Sequence, residues 1–323
     1  MTSPPFALLS QKEYGNVSSS EYLEWFRPFA LEIFRCLKDS GSFVIDLGGA
    51  WNKKLPTKSL YNFKILIMLC EEIGFSLAQD FYWYNPVTVP GPAEWTSKRR
   101  IRGKSAVNTI WWLSKTEWPK ASNVRVAWPY SDAMVDLINR GKKFREKHPS
   151  GHAFSNSIRS DNGASICPNL IAVANNEANS FYQKYCDEQK INAHPARFPE
   201  AIPEFFIRML TDRDDIVVDP FAGSCVTGAV AQQHGRKWFC IDTNSDYLRG
   251  AVGRFTHQND AKIKNRGDFT ADDYYKIPRP DLLWNRPNGD NLPRPGTLWY
   301  DSSDNMLPLD GGKNYKPRPR KKR

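Results

Sequence analysis

Between residues 20 and 38 apolar side chains recur at Tyr22, Phe26, Phe29, Ile33 and Leu37, the spacing of one helix face, and Gly41 supplies a stop. Ser42 to Leu47 then reads as a short buried strand closed by Gly48-Gly49, and residues 59 to 73 form a second periodic helix ended by Gly74. Strand-like runs follow at Phe81–Tyr84 and Asn108–Leu113. From about 116 to 190 the pattern loosens into polar stretches, which predicts an inserted domain or lid. Regularity returns with a helix over Pro199–Leu210, a strand at Ile216–Val218, a glycine-bearing loop and a helix to about His234. A further strand, Lys237–Ile241, ends in Asp242, and a helix capped by Asn244 or Ser245 runs to about Phe255. Strands alternating with helices predict an α/β sheet sandwiched by helices.

The chain has 323 residues, enough for two domains or one enlarged by an insertion. Beyond residue 260 it holds eight of its 23 prolines and ends in a basic run, the composition of an irregular appendage. The longest apolar run, Ile65–Cys70, is far short of the roughly 18 residues that span a bilayer, so no membrane span is expected. Residues 1–6 lack the pattern of a secretory signal, and six cysteines stand singly with no CxxC pair. A reduced cytoplasm is the expectation, with neither a zinc ribbon nor any other metal site. The net charge of +10 makes a polyanionic partner plausible. Basic residues concentrate at Lys98, Arg99, Arg100, Arg102 and Lys104 and again over Lys316–Arg323; taken alone, either run could be solvated surface.

Two motifs carry chemistry. The first, Asp219-Pro220-Phe221-Ala222-Gly223-Ser224-Cys225-Val226-Thr227-Gly228, follows a strand and opens a helix. Glycine there lets backbone approach a ligand, and the helix start offers unpaired N–H groups. Ala229 and Val230 stand where a P-loop carries Lys-Ser/Thr, and Cys225 occupies the middle glycine of a dinucleotide fingerprint. Pyrophosphate binding is therefore disfavoured. Asp219 at the strand end can accept from an amino group, while Asp242 at the end of the next strand is placed for a ribose diol. S-adenosylmethionine, with an amino acid at one end and a nucleoside at the other, satisfies both; a capped turn would explain Gly223 alone.

The second motif is Ser3-Pro4-Pro5-Phe6. Successive prolines have fixed φ and no N–H, so their carbonyls are free to meet an NH₂ group. An exocyclic base amine is a poor nucleophile because its lone pair is delocalised into the ring, and acceptors for both hydrogens relieve that. The Ser3 hydroxyl and Pro4 carbonyl could be those acceptors, with Phe6 stacking on a base rotated out of its duplex. In isolation a Ser-Pro-Pro-Phe segment reads more readily as a disordered proline turn.

In combination the two resemble the amino-methylating DNA methyltransferases whose catalytic motif precedes the cofactor motif, with a target-recognition region between. The resemblance spans about residues 3 to 255. It rests also on Ser42-Phe43-Val44-Ile45-Asp46-Leu47-Gly48-Gly49, on Asn108–Lys115, and on His194-Pro195-Ala196-Arg197-Phe198-Pro199 running into Pro203–Ile207. It implies a Rossmann-like S-adenosylmethionine-dependent sheet with helices on both faces plus an inserted recognition region. The implied division is a catalytic half at 1–115, target recognition at 116–190, a cofactor half at 191–260 and a Pro-rich basic appendage at 261–323. In that family the Ser-Pro-Pro form goes with cytosine N4 rather than adenine N6, so the expected activity is cytosine N4 methylation of a flipped base in a restriction-modification system. By the same resemblance Ser3, Pro4, Pro5, Phe6 and Asp46 are catalytic. His194, Ala196 and Phe198 join Asp219, Pro220, Phe221, Gly223, Ser224, Thr227 and Asp242 around the cofactor. Trp111, Trp112 and the 98–104 cluster are expected to line the cleft for double-stranded DNA. The enzyme is expected to be a monomer in the cytoplasm of a prokaryotic or phage-bearing cell, sharing a system with a restriction endonuclease but forming no stable complex with it.

The sequence departs from the family in two places. Cys225 and Val226 replace the usual Gly-Thr, at a variable position. Relatives carry a strand before the Ser-Pro-Pro motif, where only Met1 and Thr2 precede Ser3 here. The expectation is a missing strand: a truncated product, with a catalytically incompetent DNA-binding remnant as the alternative, or a strand supplied elsewhere, for which Arg279–Asn285 is the candidate.

Overall fold

The computed structural model describes residues 1–9, 12, 15–140, 163–175 and 181–256. These form two compact units: Met1–Asn123 with the described residues from Pro168 on, and the described residues of Val124–Cys167. Residues beyond 256, including Arg279–Asn285 and the terminal basic run, lie outside the described residues.

In the first unit, helix α1 (Tyr22–Cys36) buries Tyr22, Phe26 and Ala30, one face at four-residue spacing. Strand β1 (Ser42–Leu47) is buried at five of its six positions, as its apolar run requires of a strand covered on both faces. Helix α2 (Tyr61–Ile67) runs on through a wider π-type segment, Met68–Ile73, and stops at Gly74, whose φ of +99° suits a residue without Cβ. Strands β2 (Ser76–Tyr84) and β3 (Val107–Ser114) complete an antiparallel trio in which β3 lies between β1 and β2. β2 begins five residues before the stretch its hydropathy marks, because Leu77, Ala78, Gln79 and Asp80 are partly or fully exposed and do not alternate. A short strand β4 (Leu170–Ala172) pairs parallel with Tyr82–Tyr84.

Helices α4 (Phe181–Gln189) and α5 (Ala201–Leu210) precede the parallel pair β5 (Ile216–Asp219) and β6 (Lys237–Cys240), with α6 (Val226–Gln233) between them and α7 (Ser245–Thr256) after. α6 packs on one face of that pair through Val217, Val226 and Val230. Ile216, Val218 and Phe239 of the pair are exposed, as is Ile241 just after β6. α4 crosses α7 closely: a Cβ on Gly253 would lie 2.4 Å from Tyr185 Cβ, and one on Gly250 2.6 Å from Cys186 Sγ. β4 and α4 thus belong to the first unit, although the loosened pattern groups them with the insert. The second unit contains α3 (Asp132–Arg140) and the paired residues Trp128 and Ser165. No helix among the described residues is long and apolar enough to cross a membrane.

Between the edges of β1 and β5 lies the start of the chain. Thr2 N–H donates to Val44 O (2.9 Å), its carbonyl accepts from Asp46 N–H (3.0 Å), and the Met1 ammonium donates to Val218 O (3.0 Å). Met1 and Thr2 therefore occupy the gap where the sequence leads one to expect a strand, with Thr2 bridged in parallel to Ile45.

Candidate active site

Ser3 leaves that gap directly into the site. Its Oγ donates to Asp46 Oδ2 at 3.2 Å. A serine hydroxyl that donates keeps its lone pairs as acceptors. Asp46 is 2% exposed, and among the described residues nothing hydrogen-bonds its Oδ1. Burial pushes its carboxyl up to about 7, while the Ser3 and Asn108 side chains pull the other way. A buried carboxylate oxygen without a donor is costly, so its retention points to a ligand hydrogen.

The proline loop is braced from below. Tyr22 Oη donates to Pro5 O at 2.7 Å, which fixes the direction of this carbonyl. Tyr61 Oη donates to Gly48 O, and its ring meets Tyr22 edge-on at 4.8 Å. Gly48 is needed for close approach: a Cβ there would sit 2.5 Å from Phe6 Cε2 and 3.2 Å from Asn108 Oδ1. Phe6 is thereby held half-buried against Gly48, just past the end of β1.

The second motif stands next to the first. Thr2 Oγ1 donates to Asp219 Oδ1 at 2.6 Å, and Thr227 Oγ1 to Oδ2 at 2.6 Å. Phe221 N–H adds a third bond to Oδ1 at 3.2 Å. Asp219 is 1% exposed, with burial the largest influence, raising its pKa. The reading of Asp219 as a direct acceptor for a ligand amino group gives way here: its carboxylate turns inward and ties the two motifs together. Phe221 likewise points away from the loop, packing edge-on against Phe29 of α1 at 4.9 Å. Ser224 is buried and accepts from Arg254 Nε through its carbonyl at 2.8 Å. Phe198 joins the core under α5 and α6, and Pro220 is half-buried in the turn between.

What faces open space is smaller in number. Gly223 has φ +49°, and a Cβ on it would approach the His194 ring to 3.1 Å. Its N–H donates to Asp242 Oδ2 at 2.8 Å, and Asn244 N–H to Oδ1 at 2.9 Å. Half-buried Asp242 keeps further lone pairs on both oxygens. His194 stacks edge-on against buried Tyr247 at 4.5 Å; burial lowers its pKa, opposed by Asp242, so the ring is neutral at pH 7. Ala196 is exposed beside it, its backbone hydrogen-bonding the imidazole. The bend around Gly223 is thus a cradle that a side chain would fill, next to a carboxylate and a neutral imidazole.

The sequence against a model of the N6/N4 DNA methylase family matches over residues 1–253. It is 51% identical over 266 residues to the Type II methyltransferase M.PvuII of Proteus hauseri, covering 82% of this chain and 79% of that protein. The chain belongs to this family of DNA methylases. Its fold matches the solved PvuII DNA methyltransferase (cytosine-N4-specific) with a TM-score of 0.62 and 45% identity, over 79% of this chain and 78% of that one. A shorter likeness, 37% over 98 residues, links it to the DNA adenine methyltransferase YhdJ of Escherichia coli (strain K12), covering 28% of this chain and 33% of that protein. The fold is the S-adenosylmethionine-dependent methyltransferase fold that the family resemblance implied.

Several residues of this methylase site are invisible to motif reading. Thr2, Tyr22, Tyr61, Asn108 and Tyr247 each touch a motif residue from a distant segment. Asn108 alone had a signal, as the polar head of an apolar strand. Trp111 and Trp112 are 2% and 7% exposed, so they belong to the core rather than to a cleft wall. Their strand is covered on both faces, which the apolar run could not distinguish from an exposed aromatic platform.

Proposed function

We propose that this methylase transfers a methyl group from S-adenosylmethionine to the N4 amine of a cytosine flipped out of double-stranded DNA, within a restriction-modification system. The observation that carries it is the juncture at Thr2: one residue before Ser3, it bonds Asp219 of the glycine motif, so amine-binding and cofactor-binding elements share one site. The likeness to the cytosine-N4-specific PvuII enzyme favours N4 over adenine N6.

Gly223 and the adjoining backbone would take the cofactor, with Asp242 toward its ribose and His194 and Ala196 beside it. Pro220, Ser224 and Thr227 shape the loop, and Asp219 and Phe221 fix it to the catalytic half. The bound cofactor supplies an electrophilic methyl on a sulfonium. Ser3 Oγ and Pro4 O accept the two amino hydrogens, holding the lone pair out of conjugation with the ring. Phe6 supports the base by stacking, and Asp46 Oδ1 receives the proton that N4 sheds. No cysteine nucleophile is used. Residues 1–115 and 191–260 form the catalytic and cofactor halves and 116–190 reads the DNA; the second unit, Val124–Cys167, falls within that reading region. We assign residues 261–323 to an appendage, and take the enzyme to be a cytoplasmic monomer with no stable endonuclease complex.

Incubation with methyl-labelled S-adenosylmethionine and duplex DNA tests the reading. Label in the DNA, lost in an Asp46→Asn variant, is the expected result. Retention of DNA by the wild-type protein with no label transferred would instead favour a binding remnant.

A further inference from the structure

Beside the catalytic strands lies a recess of about 580 Å³, lined by Trp51, Pro56, Lys58, Arg102, Lys104 and Val107 among others. It is a built feature. The turn that forms one wall is closed by pairing of Trp51 with Lys58 and by Asn52 N–H donating to Thr57 O at 2.9 Å. Arg102 Nε donates to Pro56 O at 2.8 Å, stitching that turn to the 100–104 loop. Lys104 Nζ donates to Pro86 O at 3.2 Å and Thr88 O at 3.1 Å. Lys58 Nζ lies 5.9 Å from the centre of the Trp51 ring, a cation–π contact.

The charge here is not neutralised. Lys98 and Arg99, in the same basic run, both pair with Glu94, at 3.6 and 2.8 Å. Among the described residues no carboxylate comes within 4.0 Å of Lys53, Lys54, Lys58, Arg100, Arg102 or Lys104. Carbonyl oxygens fix the cations in place without cancelling their charge. Six uncompensated cations on two tied loops make a focused positive field, the condition for binding a polyanion. The recess also adjoins the chemistry. Lys58 Nζ is 3.6 Å from where a Cβ on Gly49 would be, and Gly49 is three residues beyond Asp46, at most about 11 Å of extended chain. Val107, in the lining, precedes Asn108, which reaches Asp46.

We propose that this recess is the seat of the DNA phosphodiester groups that flank the target nucleotide. Lys58, Arg102 and Lys104 hold the phosphates, and Trp51 provides an apolar wall for the adjoining sugar. The proposal rests on the reading of the chain as a DNA methyltransferase. It separates two functions within one basic run: Lys98 and Arg99 are internally paired, whereas Arg102 and Lys104 grip substrate.

The test is the salt dependence of duplex DNA binding by the full chain, followed by fluorescence anisotropy from about 50 to 300 mM KCl, a range over which such binding falls steeply. A Lys58→Ala/Arg102→Ala/Lys104→Ala variant should lower the slope of log K against log salt by about 2 to 3, at roughly 0.9 for each lost phosphate contact. A Lys98→Ala/Arg99→Ala variant should lower it by less than about 1. S-adenosylmethionine affinity, read by equilibrium dialysis, should be unchanged in both and reports that they are folded; should the triple variant fail that control, Lys58→Ala and Lys104→Ala alone should each lower the slope by about 0.9. An unaltered slope in folded recess variants, with the wild type binding and methylating DNA, overturns this site and leaves the enzymatic reading intact. A wild type that neither binds nor methylates DNA overturns both.

Discussion

Replacing Asp46 with asparagine should make the protein more stable at alkaline pH while abolishing its activity. The carboxyl is fully buried and its pKa stands at about 7, against an ordinary aspartate value of 3.8. A folded-state value raised above the unfolded one means that folding favours the protonated form; the contribution is fully present below the unfolded value and is lost as pH rises through the folded one. At about 1.4 kcal/mol per tenfold in proton affinity, ionised Asp46 costs roughly 4 kcal/mol above pH 8. About 2.5 kcal/mol of that loss falls between pH 5 and pH 8. Urea denaturation of wild type and Asp46→Asn at both pH values isolates it, since every other group titrates in both proteins. The stability of Asp46→Asn relative to wild type should rise by about 2.5 kcal/mol from pH 5 to pH 8, with methyl transfer lost throughout. Parallel pH dependence in the two proteins would refute the argument that this carboxylate is held ionisable in the core at the expense of stability.

Three further outcomes follow from the same geometry. Activity of the wild type under low substrate should rise as pH passes upward through about 7 and then level, because Asp46 must be ionised to receive the proton that N4 sheds; a flat profile from pH 5.5 to 8.5, roughly one and a half decades either side, would count against that role. Asp242→Ala should weaken S-adenosylmethionine binding by about tenfold or more in calorimetry, from loss of charge-assisted hydrogen bonds and of the cap on Gly223, whereas Ser3→Ala should lower turnover and leave that affinity alone. Tyr22→Phe strands the Pro5 carbonyl without a donor and should cost about 1–3 kcal/mol in denaturant unfolding, with kcat reduced more than the S-adenosylmethionine KM changes.

How much of this is legible in the sequence varies with the range of the interaction. Helix α1 and strands β1, β5 and β6 follow from periodicity, since each hides a regular face or a continuous apolar run. The glycine turn is equally local: Gly223 must tolerate positive φ, and Asp242 follows one strand later. Direction of side chains is another matter. Asp219 reads as ligand-facing at a strand end, yet Thr2, over 200 residues away in sequence, claims its Oδ1. Trp111 and Trp112 look like a platform for bases until packing over both faces of β3 leaves them 2% and 7% exposed. The basic run at 98–104 is divided by Glu94, four residues before Lys98, a partition set by where a turn points each stem. The gap beside β1 is the sharpest case, because strand order is a property of the sheet and not of any segment.

The most direct measurement is mass spectrometry of nucleosides from duplex DNA methylated by the purified protein. The account predicts N4-methylcytosine as the new nucleoside, absent when Asp46 is replaced and reduced when Ser3 is. N6-methyladenine or 5-methylcytosine in its place would contradict it.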